Sequence, residues 1–142
     1  MAARQEAVAP EREALRKSGL AASDPDAYRQ RAFELSVAGY FANPARAHDL
    51  TPFRVMGRVQ QSVWESLADY DIRPQLANIR CPALVVHGRQ DPVPLASSED
   101  VARDLGAELV VIDRCGHVPY VEQPAALFAA VDRFLDATES DP

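Results

Sequence analysis

Two short apolar runs do most to limit the folds open to this chain. Ala83-Leu84-Val85-Val86-His87 is bounded by Pro82 and Gly88, and Glu108-Leu109-Val110-Val111-Ile112 follows one helix-length later. Both are rich in β-branched residues and lack the polar–apolar alternation of a half-exposed strand. They read as strands buried on both faces, as in a parallel sheet. Between them, Leu95 to Leu105 has helical spacing, with Ser97 or Ser98 near its cap. After the second run, Pro124 to Leu135 is a final helix with Pro in its first turn and Leu127, Val131, Phe134 and Leu135 facing inward. Strand–helix–strand–helix is half of a doubly wound α/β unit. Two strands cannot bury both faces alone, so the pattern assumes a sheet larger than the one written here.

Residues 1–75 read as helical instead. Ala9-Pro10-Glu11 opens a short helix, with Pro and an acid in its first turn, and Ser18-Gly19 closes it. Ser23-Asp24-Pro25-Asp26 is a stronger start, a capping residue followed by Pro, for a helix ending near Asn43-Pro44. Thr51-Pro52 opens a third, in which Phe53, Met56, Gln60, Val63, Trp64 and Leu67 form one apolar stripe. The expected division is a helical segment over 1–75, an α/β portion over 76–137 and a polar tail over 138–142.

Composition excludes several classes. A chain of 142 residues with 47% hydrophobic and 25% charged residues matches an ordinary single soluble domain. The net charge of −6 argues against nucleic acid as a partner. No apolar run is long enough to span a membrane. The start MAARQEAVAPERE has no apolar signal region. With only Cys81 and Cys115, a reducing cytoplasm and free thiols are expected. Cys81, His87, Cys115 and His117 are all metal-ligand types, but their spacing fits no structural zinc site. They read as buried thiols and ordinary histidines, and no metal or cofactor is expected.

In open α/β sheets, chemistry gathers in the loops beyond the carboxyl ends of the strands. The first such loop is His87-Gly88-Arg89-Gln90-Asp91-Pro92-Val93-Pro94, and the second is Asp113-Arg114-Cys115-Gly116-His117-Val118-Pro119-Tyr120. Each carries a titratable group just past its strand, Asp91 and His117. Adjacent parallel strands bring the two together. An Asp that holds a His fixes the imidazole tautomer and stabilises the imidazolium formed in acyl transfer. The bland alternatives are an Asx turn at Asp91 and a loop histidine with a local hydrogen bond.

These loops resemble a known family. Cys81 to Pro94 is similar to the seventh strand and acid loop of α/β-hydrolases; Gly116-His117, with Glu122, Pro124 and Phe128, resembles their histidine loop and last helix. The family order of nucleophile, acid and histidine implies Asp91 as the acid and His117 as the base. Residues 1–75 resemble, by position and helical character, the cap that many members insert before the seventh strand. The resemblance implies a serine hydrolase of the proline-iminopeptidase-like or esterase-like kind. Its substrates would be small esters, amides or short peptides.

One part of the family pattern is absent. Glycines stand at 19, 39, 57, 88, 106 and 116, and no two have the four-residue spacing of G-x-S-x-G. The chain holds no nucleophile in that setting, and the family's oxyanion loop is missing too. The resemblance therefore covers the C-terminal portion of a chain about twice as long. The expectation is a truncated hydrolase, inactive by itself. The alternatives are a subunit completed by a partner chain, or by self-association, through the incomplete sheet edge, and a non-catalytic binding remnant. Trp64, Phe53 and Met56 are candidates for a pocket lining or plain core, and Arg54 and Arg58 for a carboxylate contact or a solvated helix face. His48-Asp49 reads as a surface turn, and Glu122 as an acid favouring the start of the last helix.

Overall fold

The computed structural model describes residues 2–50, 57–67 and 70–139. The chain divides into two compact units, Met1–Gly39 with Pro44–Asp71, and Tyr40–Asn43 with Ile72–Pro142.

The first unit is helical. It runs through α1 (Ala2–Ala7), α2 (Ala9–Lys17), α3 (Leu20–Ser23), α4 (Pro25–Val37), a 3-10 segment at Pro44–Leu50 and α5 (Gly57–Leu67). The start signals act as the residues suggest. In α2, Pro10 and Glu11 occupy the first turn and Arg16 and Lys17 the last, so charge complements the helix dipole at both ends. At α4, the Asp24 side chain accepts a hydrogen bond from the Ala27 N–H at 3.0 Å, with Pro25 immediately after the cap. This helix stops at Val37, earlier than the expected Asn43-Pro44, because Ala38–Tyr40 tightens into a 3-10 turn. Its last carbonyls are met by side chains, Leu35 O by Arg12 Nη2 and Ser36 O by Gln5 Nε2, each at 2.8 Å. Val8, Leu35, Ala38 and Ala47 are buried in this unit.

The expected start of the third helix at Thr51-Pro52, with Phe53, Arg54 and Met56, lies outside the described residues. So do the side chains of Arg58 and Gln60. The described part, α5, carries Val59, Val63 and Trp64 exposed, with Trp64 at 68%. Core placement of Trp64 is therefore corrected. The helix has an apolar stripe, of which Val63 and Trp64 are half or more exposed and Leu67 is half-buried.

The second unit contains α6 (Arg73–Leu76), β1 (Leu84–Gly88), α7 (Leu95–Leu105), β2 (Glu108–Ile112), α8 (Pro119–Glu122) and α9 (Pro124–Glu139). β1 and β2 pair in parallel, with Val86 opposite Val110 and Gly88 opposite Ile112. The crossover between them is α7. It ends as Gly106 takes a left-handed conformation (φ 63°), so that Ala107 N–H reaches Ala102 O at 2.8 Å. Neither Ser97 nor Ser98 caps α7; Pro94 occupies the cap position. Arg73 ties α6 to α7 through Asp104 at 2.7 Å.

Leu84, Val85 and Val86 are only half-buried, as are Leu109 to Val111, because a two-stranded sheet leaves part of each strand uncovered. The buried residues gather toward the carboxyl ends of the strands: His87, Gly88, Ile112, Cys115, Gly116 and Val118, with Phe41. α9 runs on through Thr138 and Glu139, two residues expected in the tail, and residues 140–142 lie outside the description. Among the described residues no helix is long and apolar enough to cross a membrane.

Candidate active site

The loops after β1 and β2 are laced together before any side chain reaches out. Arg89 N–H donates to Ile112 O and Gln90 N–H to Cys115 O, both at 2.8 Å. Gln90 Oε1 accepts from the Cys115 N–H at 2.9 Å. The loops approach so closely that a Cβ on Gly88 would lie 2.0 Å from the Gly116 carbonyl oxygen. Only a residue without a side chain fits there. At the rim, the Arg89 guanidinium pairs with Asp113 across the strand ends.

This lacing brings Asp91 and His117 together. Asp91 Oδ2 lies 2.8 Å from His117 Nδ1, across 26 residues of sequence. Oδ1 of the same carboxylate accepts from the Val93 N–H at 2.8 Å. The Asx turn and the histidine contact are thus both present, one on each oxygen. A carboxylate accepts hydrogen bonds and donates none. The imidazole is therefore held with its proton on Nδ1, leaving Nε2 able to take a proton. The carboxylate is enclosed and the imidazole open: the Asp91 side chain is 7% exposed and that of His117 51%.

Four residues from far upstream complete the histidine loop. The His117 N–H donates to Tyr40 O at 2.7 Å. The Tyr40 ring lies against the imidazole, with centroids 5.3 Å apart and planes tilted by 51°. Glu122, 7% exposed, turns its carboxylate inward. It accepts from Gly116 N–H at 2.6 Å, Ala42 N–H at 2.8 Å and Asn43 N–H at 3.2 Å. The reading of Glu122 as a helix-start acid is corrected. It ends α8 and braces the loop that carries His117. Nothing in the sequence marks Tyr40–Asn43 for this place, and the spacing of Glu122 behind His117 is the one available clue.

The remaining candidates go elsewhere. Cys81 is exposed, not buried. Cys115 is fully enclosed, and burial, with the Glu122 and Asp91 carboxylates nearby, pushes its thiol up to about 11. His87 is buried at the end of β1, hydrogen-bonded through Nδ1 to Ser98 Oγ at 2.8 Å. Among the described residues no group of three or more His, Cys, Asp or Glu side chains gathers where a metal could bind. His48 is exposed, with Nδ1 2.7 Å from Ala45 O.

The chain is similar to several known proteins. The chain is 36% identical over 90 residues to 3-oxoadipate enol-lactonase 2 of Acinetobacter baylyi, covering 63% of this chain and 33% of that protein. It is 42% identical over 62 residues to a pimeloyl-[acyl-carrier protein] methyl ester esterase of Aromatoleum aromaticum, covering 42% of this chain and 25% of the esterase. Among solved structures, Est816, described as an N-acyl homoserine lactone degrading enzyme, superposes with a TM-score of 0.58. That match has 23% identity and covers 92% of this chain and 53% of Est816, a likeness of fold. The chain thus spans a quarter to a third of the length of these curated relatives. The sequence model described as the alpha/beta hydrolase family matches residues 1–131. Parallel strands, laced loops and that match over nearly the whole chain agree: the protein belongs to the alpha/beta hydrolase family.

Proposed function

We propose that this chain supplies the acid and base of a serine-hydrolase triad acting on a small ester or lactone. In this reading His117 is the general base and Asp91 its orienting acid. The observation that carries it is the 2.8 Å contact of Asp91 Oδ2 with His117 Nδ1, which leaves Nε2 on an exposed ring. The names of the lactonase and esterase relatives support an ester or lactone carbonyl over an amide.

The chemistry assigned to the pair is acyl transfer. A serine Oγ attacks the carbonyl carbon while its proton passes to His117 Nε2. The tetrahedral intermediate collapses as the imidazolium returns that proton to the leaving alkoxide. Water then attacks the acyl-enzyme by the same route, releasing the carboxylic acid and restoring the serine. Asp91 keeps its charge throughout and stabilises the imidazolium. The helical unit belongs, in this reading, to the cap. The serine is not among these 142 residues in any G-x-S-x-G setting, so the chain alone is expected to be inactive.

The test joins this chain to the nucleophile-bearing portion of a relative. The chimera should hydrolyse a p-nitrophenyl ester and take up a fluorophosphonate label, while the 142-residue chain alone does neither. His117→Ala in the chimera should lower kcat by about 10³-fold or more. Unchanged turnover in that variant overturns the reading.

A second reading rests on the outer edge of β1, which has no strand partner among the described residues. A partner chain that adds strands there would complete both sheet and triad. Light scattering at increasing concentration separates the two: a monomer throughout counts against it.

A further inference from the structure

We propose that Glu122 is the positioning residue that keeps His117 against Asp91, by drawing three backbone N–H groups, one from the histidine loop and two from the distant segment 42–43, onto one buried carboxylate. The proposal rests on the reading of His117 as the base and names what aims it.

Two contacts bear on the imidazole itself, the tilted Tyr40 ring and Asp91 at Nδ1. It is half exposed, and among the described residues Asp91 is its one hydrogen-bond partner on the ring. Its direction therefore depends on the backbone that carries it. That backbone is clamped from two sides. Gly116, immediately before His117, donates to Glu122 Oε2 at 2.6 Å. His117 donates its own N–H to Tyr40 O at 2.7 Å. Tyr40 is held in turn because Ala42 and Asn43, just beyond it, donate to Glu122 Oε1 at 2.8 and 3.2 Å. The fit is tight: a Cβ on Gly116 would lie 2.0 Å from Tyr40 O. One carboxylate thus fixes the peptide before the base and the segment whose carbonyl and ring meet the base.

Burying a carboxylate is costly unless its acceptor sites are filled. An apolar side chain would fill the same space with no such penalty, but it could not gather three donors. Gln could not either. Its amide has one acceptor oxygen, and its NH2 would face an N–H. Asp lacks the reach, being one methylene shorter.

The test uses the 142-residue chain and reads the ring itself. Imidazole 15N shifts report whether His117 carries its proton on Nδ1 or Nε2, and amide exchange reports the three N–H groups. In the unaltered chain the Nδ1–H tautomer should dominate and the Gly116, Ala42 and Asn43 amides should be protected. In Glu122→Gln and Glu122→Asp those amides should exchange about tenfold faster or more, with His117 moving to a mixture of tautomers. Arg73→Ala, which breaks the contact with Asp104, should lower the melting temperature without moving either signal. If the Glu122 variants do not fold, the unaltered chain still decides. The three amides and the His117 amide should then open together, at one common rate. A Glu122 variant that keeps the Nδ1–H tautomer overturns the proposal, as does a Gly116 amide that exchanges freely while the tautomer holds. Neither readout uses hydrolysis. An active His117→Ala chimera would remove the base reading and leave the positioning result standing.

Discussion

Gly88, the last residue of β1, meets Gly116 of the histidine loop backbone to backbone, with 2.0 Å separating a Cβ built on the first from the carbonyl oxygen of the second. No rotamer can relieve a clash with a carbonyl. Gly88→Ala is therefore expected to destabilise the α/β unit by about 3 kcal/mol or more. It should also part Asp91 from His117, since the loop that carries Asp91 starts at that glycine. Urea unfolding with the His117 15N shifts checks both effects; a neutral substitution would mean the loops do not meet as described.

Asp91→Asn separates the two duties of this carboxylate. The Asn oxygen can still accept from the Val93 N–H, so the loop should keep its shape and the chain its stability. Its NH2, however, faces His117 Nδ1 and favours the opposite tautomer. In the active chimera kcat should fall by about 10⁴-fold with little change in KM. A loss confined to KM would argue for substrate contact instead of imidazole orientation.

Cys115 makes a pH-dependent prediction. Its thiol is raised from an ordinary 9.0 to about 11 in the folded chain. Near pH 8 it should resist a maleimide that modifies the exposed Cys81. The sign for stability follows from linkage. Between pH 9 and 11 the unfolded chain releases this proton and the folded chain retains it, so rising pH favours unfolding. The stability associated with Cys115 is complete below pH 9 and is lost as pH climbs through 11. Cys115→Ala should flatten that part of the stability profile, as read by thermal melts at several pH values. An unchanged profile would place the thiol in a less enclosed site.

In the helical unit, the Asp24 side chain holds the Ala27 N–H at the start of α4. Asp24→Ala leaves that donor without its side-chain acceptor and should cost about 1 kcal/mol. Circular dichroism under denaturant measures it. Asp24→Ser should recover most of the loss, because a hydroxyl also caps.

What the sequence could reveal follows from how local each cause is. Val85-Val86 and Val110-Val111 announce strands because apolar β-branched runs between turn residues carry their own signature. Asp91 and His117 are legible because each lies in a short loop just past such a strand. Glu122 and Tyr40–Asn43 are not legible in the same way. Their contacts cross 79 and 80 residues, and no local pattern records a partner so distant. The early end of α4 and the open stripe of α5 escaped for a related reason. Val63 and Trp64 have helical spacing, but spacing alone does not say what lies opposite.

The hydrogen bond between the Ala42 N–H and Glu122 Oε1 also bears on the order in which the molecule assembles. β1, α7 and β2 lie close together in the chain and can associate at modest loop-closure cost. The histidine loop takes its final shape only when segment 40–43, synthesised much earlier, returns to meet it. His117 should therefore be among the last groups to settle. Pulse-labelled exchange should find the Gly116 amide protected after that of His87, whose N–H faces β2 in the parallel register. Substitutions at Glu122 should accordingly hasten unfolding more than they slow folding.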